Sequence, residues 1–169
     1  MRKHTFYRFL SIALLPVAIF FVLGAVIMLL PALGNPPMLL PVFVLACVAI
    51  YIFSSLRFLN NGILRAQPCK PGLKDWIKVN AIVTIIFSIL GLLQAVLVST
   101  NPSLMGEALD KSLQIQGNPQ GISKETLMKM MKTMMYVFMV IFAMLFIHVM
   151  ITFNLLKKYR YVFDSTSQS

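Results

Sequence analysis

No charged side chain occurs between Arg8 and Arg57. An element of a soluble domain must show water a polar face, so charges recur every few residues. A run this long belongs in lipid, and it is too long for one crossing. The motif GNPP, Gly34 to Pro37, divides it. Two more charge-free blocks follow, one from Val79 past Ser99 and one from Thr133 to Leu156. Hydrocarbon about 30 Å thick is crossed by about 20 apolar residues rising ~1.5 Å each. The blocks therefore predict four spans, at about 10–33, 38–59, 79–99 and 133–156. With 59% hydrophobic residues, 12% charged residues and a mean hydropathy of +0.83, the whole chain sits outside the soluble range.

The basic start MRKHTFYRF resembles the opening of a signal peptide. The apolar stretch behind it exceeds the ~7–15 residues of a signal, and no small-residue cleavage site follows. A retained helix is expected, with Pro16 and Gly24 as sites for a kink.

The net charge of +10 is explained by topology rather than by nucleic acid. Eleven basic residues lie on one side of the predicted spans: Arg2, Lys3 and Arg8; Arg57, Arg65, Lys70, Lys74 and Lys78; Lys157, Lys158 and Arg160. The other side holds Lys111, Lys124, Lys129 and Lys132, nearly balanced by Glu107, Asp110 and Glu125. Basic loops stay in the cytoplasm, so both termini are cytoplasmic, with Trp76, Tyr159 and Tyr161 at span ends as interfacial rings. Asn101-Pro102-Ser103 is no glycosylation site because of its proline. That absence and the short loops point to a bacterial inner membrane.

The segment between spans three and four, about 102–132, reads as an external amphipathic structure. Asn101-Pro102 predicts a helix start, with Asn as the cap, and Gly117 with Pro119 predicts its stop. On a helical wheel Leu104, Met105, Ala108, Leu109, Leu113 and Ile115 fill one half, opposite Glu107, Asp110, Lys111 and Gln114. Glu107 and Lys111 stand four apart in the favourable order. GNPQG predicts a turn, Ser123 a new cap, and Ile122 with Leu127 a hydrophobic staple. From there one helix of roughly 35 residues, about 50 Å long, runs into span four.

That helix begins with the densest methionine cluster of the chain, MKMMKTMMYVFM, Met128 to Met139. Thioethers suit monovalent copper, and the Met131, Met135, Met139 stripe resembles the methionine spacings of copper-uptake proteins. On the wheel, however, the methionines share a broad apolar face with Leu127, and Lys129 and Lys132 lie close by on the polar side. Methionine is a flexible filler of apolar surfaces, and the expectation is packing, with no metal and no cofactor. Cys47 falls inside a span and Cys69 in the loop QPCKPG, with no CxxC pair for zinc or redox work.

No Asp, Glu, Lys or Arg lies deep in a span, which counts against a proton-driven carrier. His148 is the one intramembrane titratable candidate, expected to be neutral and hydrogen-bonded between helices, with Thr84 and Ser88 at matching depth on span three. Asn80 and Asn154 match in depth as partners across spans three and four, and Gln94 is a further polar contact. His4 reads as solvated. The sharpest pattern is Ala81, Thr84, Ser88, Gly91, Ala95 and Ser99, one helix face on which every residue is small. Such a face lets another helix approach closely, in the same chain or in a partner.

No GxSxG, HExxH, P-loop or Rossmann glycine pattern is present. The chain therefore reads as an all-α integral membrane protein and a single membrane domain over 1–169. It has a four-helix bundle with N-in/C-in topology, an amphipathic external helix between spans three and four, and a polar tail at 164–169. The expected role is non-catalytic: an accessory or interaction subunit packing through span three against another membrane protein or a second copy, in the lipid bilayer. The alternative is a small transporter or channel component with a polar path at His148, Ser88 and Thr84.

Overall fold

The computed structural model describes residues 2–116 and 121–164. The expected stop at Gly117 and Pro119, most of the GNPQG turn, the tail beyond Asp164 and the side chain of His4 lie outside the described residues. The described chain is almost entirely helical: α1 (Arg2–Ala13), α2 (Leu15–Gly34), α3 (Leu39–Arg57), α4 (Pro71–Thr100), α5 (Pro102–Gln116), α6 (Lys124–Lys158) and α7 (Tyr161–Asp164). A short 3₁₀ turn, Pro36–Met38, joins α2 to α3. Four continuous apolar stretches are long enough to cross a membrane: Thr5–Gly34, Pro36–Leu64, Pro71–Thr100 and Lys124–Lys158. These contain the four spans expected from the charge-free blocks, and each helix extends past its block.

The break between α1 and α2 at Leu14 follows from Pro16, which has no N–H to donate to the preceding turn. The axis continues through it, since Leu14 N donates to Leu10 O at 3.0 Å and Ala18 N to Leu14 O at 2.9 Å. Past α3 the chain widens into a π-helical stretch, Phe58–Leu64, carrying the poor helix formers Asn60, Asn61 and Gly62. A Cβ on Gly62 would stand 3.0 Å from the Phe58 ring and 3.3 Å from Cys69 Sγ, so a side chain there would have to push these neighbours aside by a few tenths of an ångström.

Where the sequence reads as one domain, the contacts divide into two compact units. The first comprises Met1–Ser88 and Met144–Ser169, and the second Ile89–Ala143. Helices α4 and α6 contribute residues to both.

In the first unit α2 and α3 lie side by side, and a Cβ on Gly24 would stand 3.8 Å from Leu45, an ordinary contact distance. Phe21 of α2 meets Phe87 of α4 edge-on at 6.1 Å. Helix α7 folds back on the π-helical stretch: Phe163 stacks on Phe58 at 5.4 Å, and Cys69 N donates to Val162 O at 2.9 Å. Cys69, expected as an ordinary loop thiol, is thereby buried. Burial pushes its thiol up, and the Arg57 charge acts in the opposite direction.

In the second unit Asn101 also serves the end of the preceding helix. Its side-chain Nδ2 donates to Leu97 O at 3.0 Å, satisfying a terminal carbonyl of α4. The apolar face of α5 is also narrower than half a wheel. Met105 and Leu109 are buried and Leu113 is half-buried, while Leu104, Ala108 and Ile115 are exposed. Lys124 reaches Asp110 at 2.7 Å, the one ion pair among the described residues, in place of the expected pair Glu107 and Lys111. Ser123 caps α6 as expected, its Oγ accepting from Thr126 N at 3.3 Å.

Candidate functional site

Two arrangements gather the side chains that carry chemistry, one in each unit. In the first unit His148 is fully buried and bonded at both ring nitrogens. Its Nε2 lies 2.9 Å from Ser11 Oγ and its Nδ1 2.7 Å from Tyr51 Oη. Ser11 donates its proton to Tyr7 O at 2.8 Å, so it accepts from Nε2–H. Nδ1 then bears the lone pair and accepts from Tyr51. Tyr7 Oη lies 3.0 Å and Tyr51 Oη 2.9 Å from Thr152 Oγ1, which donates back to His148 O at 2.8 Å. A neutral imidazole satisfies these contacts when the Thr152 proton is shared between His148 O and Tyr51. The rings pack as well as bond, with Tyr7 stacked on the imidazole at 4.8 Å and Tyr51 edge-on at 5.5 Å.

Helical geometry explains why these residues meet. Tyr7 and Ser11 stand four apart on α1, and His148 and Thr152 four apart on α6, so each pair occupies one helix face. Tyr51 of α3 enters from a third helix. The histidine's partners are thus on α1 and α3, not on α4. Thr84 and Ser88 are also fully buried, but Thr84 Oγ1 donates to Asn80 O and Ser88 Oγ to Thr84 O, each at 2.7 Å. They behave as small residues whose hydroxyls serve their own helix.

The pairing of Asn80 with Asn154 does not form. Asn80 Nδ2 donates to Trp76 O at 2.8 Å, and Asn154 is exposed. The physical reason lies in the register of α6: Asn154 follows the buried Thr152 by two residues, ~200° around the helix.

In the second unit the small-residue face continues through Gly91, Ala95 and Ser99 of α4. Gly91 lies against Phe142 of α6, where a Cβ would fall 2.5 Å from the ring. Ala95 is buried, whereas Ser99 and Gln94 are exposed. Ser99 Oγ donates to Ala95 O at 2.7 Å and also lies 3.8 Å from Met135 Sδ. Beside this approach α4 and α6 leave a cleft of about 400 Å³. Its walls are Gly91, Ala95 and Val98 on one side and Met131, Met134, Met135, Phe138 and Phe142 on the other, with Gln94 as the one polar side chain. The methionine face therefore divides: Met131 and Met135 turn inward, while Met130 and Met134 are more than half exposed. No group of three or more His, Cys, Asp or Glu side chains gathers among the described residues.

Sequence reasoning missed Tyr7, Ser11, Tyr51 and Thr152. The signal was the repeated i, i+4 spacing of polar residues, Tyr7 with Ser11 and His148 with Thr152. It was hidden because Tyr7 falls in the stretch that reads as a basic flank ahead of the first span.

A family model described as serpentine type 7TM GPCR receptor class ab chemoreceptor matches residues 32–164, which contain the second, third and fourth apolar stretches. No curated protein and no solved structure shows a significant match. The match spans well over half of the chain, and its serpentine description accords with the apolar helices. The chain belongs to the serpentine type 7TM GPCR class ab chemoreceptor family.

Proposed function

We propose that this protein senses a small apolar molecule at the cleft of the second unit, as a receptor component rather than an enzyme. The observation that carries the reading is the lining of that cleft. About 400 Å³ bounded by methionine, phenylalanine and small aliphatic side chains, with Gln94 alone able to hydrogen-bond, suits a weakly polar ligand such as a medium-chain ketone or alcohol. Methionine side chains adjust to different shapes at low cost, which suits a receptor meeting related odorant-like molecules. The family description supplies the chemosensory context.

The accessory-subunit reading loses its main support, because the small-residue face is largely covered within the chain. Ala81, Thr84, Ser88 and Ala95 are buried and Gly91 meets Phe142. The transporter reading weakens similarly, since Thr84, Ser88 and His148 already have partners. The protein is integral to a membrane, and the serpentine family points to a eukaryotic plasma membrane rather than the bacterial inner membrane.

A ligand that binds the folded state raises its stability in proportion to RT ln(1 + [L]/Kd). Thermal unfolding of purified protein in detergent, titrated with straight-chain ketones, should show a saturable rise in Tm with an optimum chain length. Ala95→Phe, which fills the cleft, should abolish the rise. A non-saturable drift, the same in wild type and variant, rejects the reading.

A further inference from the structure

We propose that the cytoplasmic end of the first unit holds an anionic phospholipid whose headgroup carries phosphomonoesters. Lys74 and Lys78, one turn apart on α4, converge with Lys157 of α6 and with Arg160 around a cleft of about 350 Å³. Its remaining walls are Phe153 and Leu156, so a cationic rim stands over an apolar floor. Among the described residues no carboxylate lines the cleft. Asp75, the nearest acid in sequence, lines a separate depression with Gly72, Trp76 and Val79. Lys74, Lys78 and Lys157 make no ion pair among the described residues. Lys74 instead sits 5.9 Å from the centre of the Phe163 ring.

The positive-inside rule accounts for the sign of these charges but not for their convergence. Basic loops obeying that rule alone would be scattered, and Arg65 and Lys70 lie outside this cleft. Exposed Trp76 on α4 and half-buried Tyr159 just past α6 mark the interfacial level of the membrane. The rim is thus placed for phosphates and the floor for the glycerol and first methylenes of a lipid. Basic pockets between membrane helices on the cytoplasmic side recognise multiply charged headgroups in this way. A headgroup with several phosphate charges engages Lys74, Lys78 and Lys157 together. A singly charged one does not.

Native mass spectrometry of the full chain, loaded from phosphatidylcholine micelles containing phosphatidylinositol bisphosphate or phosphatidylserine, tests this. Wild type should retain the bisphosphate lipid at least ~10-fold better than phosphatidylserine. One surface cation is worth roughly a factor of 5, so K78Q/K157Q should lower retention about 25-fold. The control R65Q/K70Q removes the same charge outside the cleft and should change retention less than ~2-fold, with Tm unchanged in both variants. Equal loss in the two variants would mean diffuse attraction and would overturn the site. Equal retention of the two lipids, or soluble inositol trisphosphate competing as strongly as the lipid, would overturn the lipid assignment.

Discussion

The two units use the same helix in opposite ways. In the first, α4 presents Ala81, Thr84 and Ser88, all buried, with the hydroxyls turned onto their own backbone. Five polar side chains from three helices, His148 among them, close a network in which each hydroxyl and ring nitrogen is matched. In the second, α4 approaches α6 tightly at Gly91 and then leaves a cleft lined by flexible methionines. Directional polar contacts specify one arrangement, whereas thioethers and apolar contacts tolerate several. The network of the first unit fixes one arrangement of its helices, whereas the second leaves space between α4 and α6 for the ligand proposed above.

The sharpest way to break that contrast is His148→Leu. It keeps the volume roughly but leaves Ser11 and Tyr51 without their ring nitrogens. Unmatched buried polar groups cost ~1–3 kcal/mol each, so thermal unfolding in detergent should show a loss of roughly 2–4 kcal/mol. Unchanged stability would mean that the network does not hold the unit together. In the second unit Gly91→Ala should cost ~1–3 kcal/mol by forcing the Phe142 ring aside. The same substitution in a Phe142→Leu background should recover about half of that. Absence of any recovery would place the strain elsewhere.

Smaller effects sharpen the comparison. Tyr51→Phe removes one hydroxyl from the network and should cost about 1 kcal/mol, within the range for intramembrane hydrogen bonds. Asp110→Asn breaks an ion pair whose side chains are 59% and 51% exposed, and should change stability by less than ~0.5 kcal/mol. A salt titration of the wild type should reproduce that change, since exposed pairs are screened.

The spans were legible because lipid demands long charge-free helices, and the Ser123 cap because its chemistry is local. The small-residue face was legible as a pattern, although its partner, Phe142, was not. Pattern along one helix says which side is crowded but not which neighbour crowds it. Asn101 had a second role the pattern did not show, because a single Asn between two helices has two backbone ends within reach and its Nδ2 takes the carbonyl of Leu97. The His148 network was hidden for a related reason: depth alone pointed to Thr84 and Ser88, whereas packing brought in α1 and α3. The wide turn at Phe58–Leu64 left only its Asn-Asn-Gly composition as a trace.

The most direct test of the division between holding and admitting is the ligand-induced Tm shift, measured side by side on Ala95→Phe and Tyr51→Phe. The structure predicts that Ala95→Phe keeps most of its thermal stability and loses the shift, while Tyr51→Phe loses stability and keeps the shift. If both variants lose the shift together, or both retain it, the cleft of the second unit is not a separable binding site.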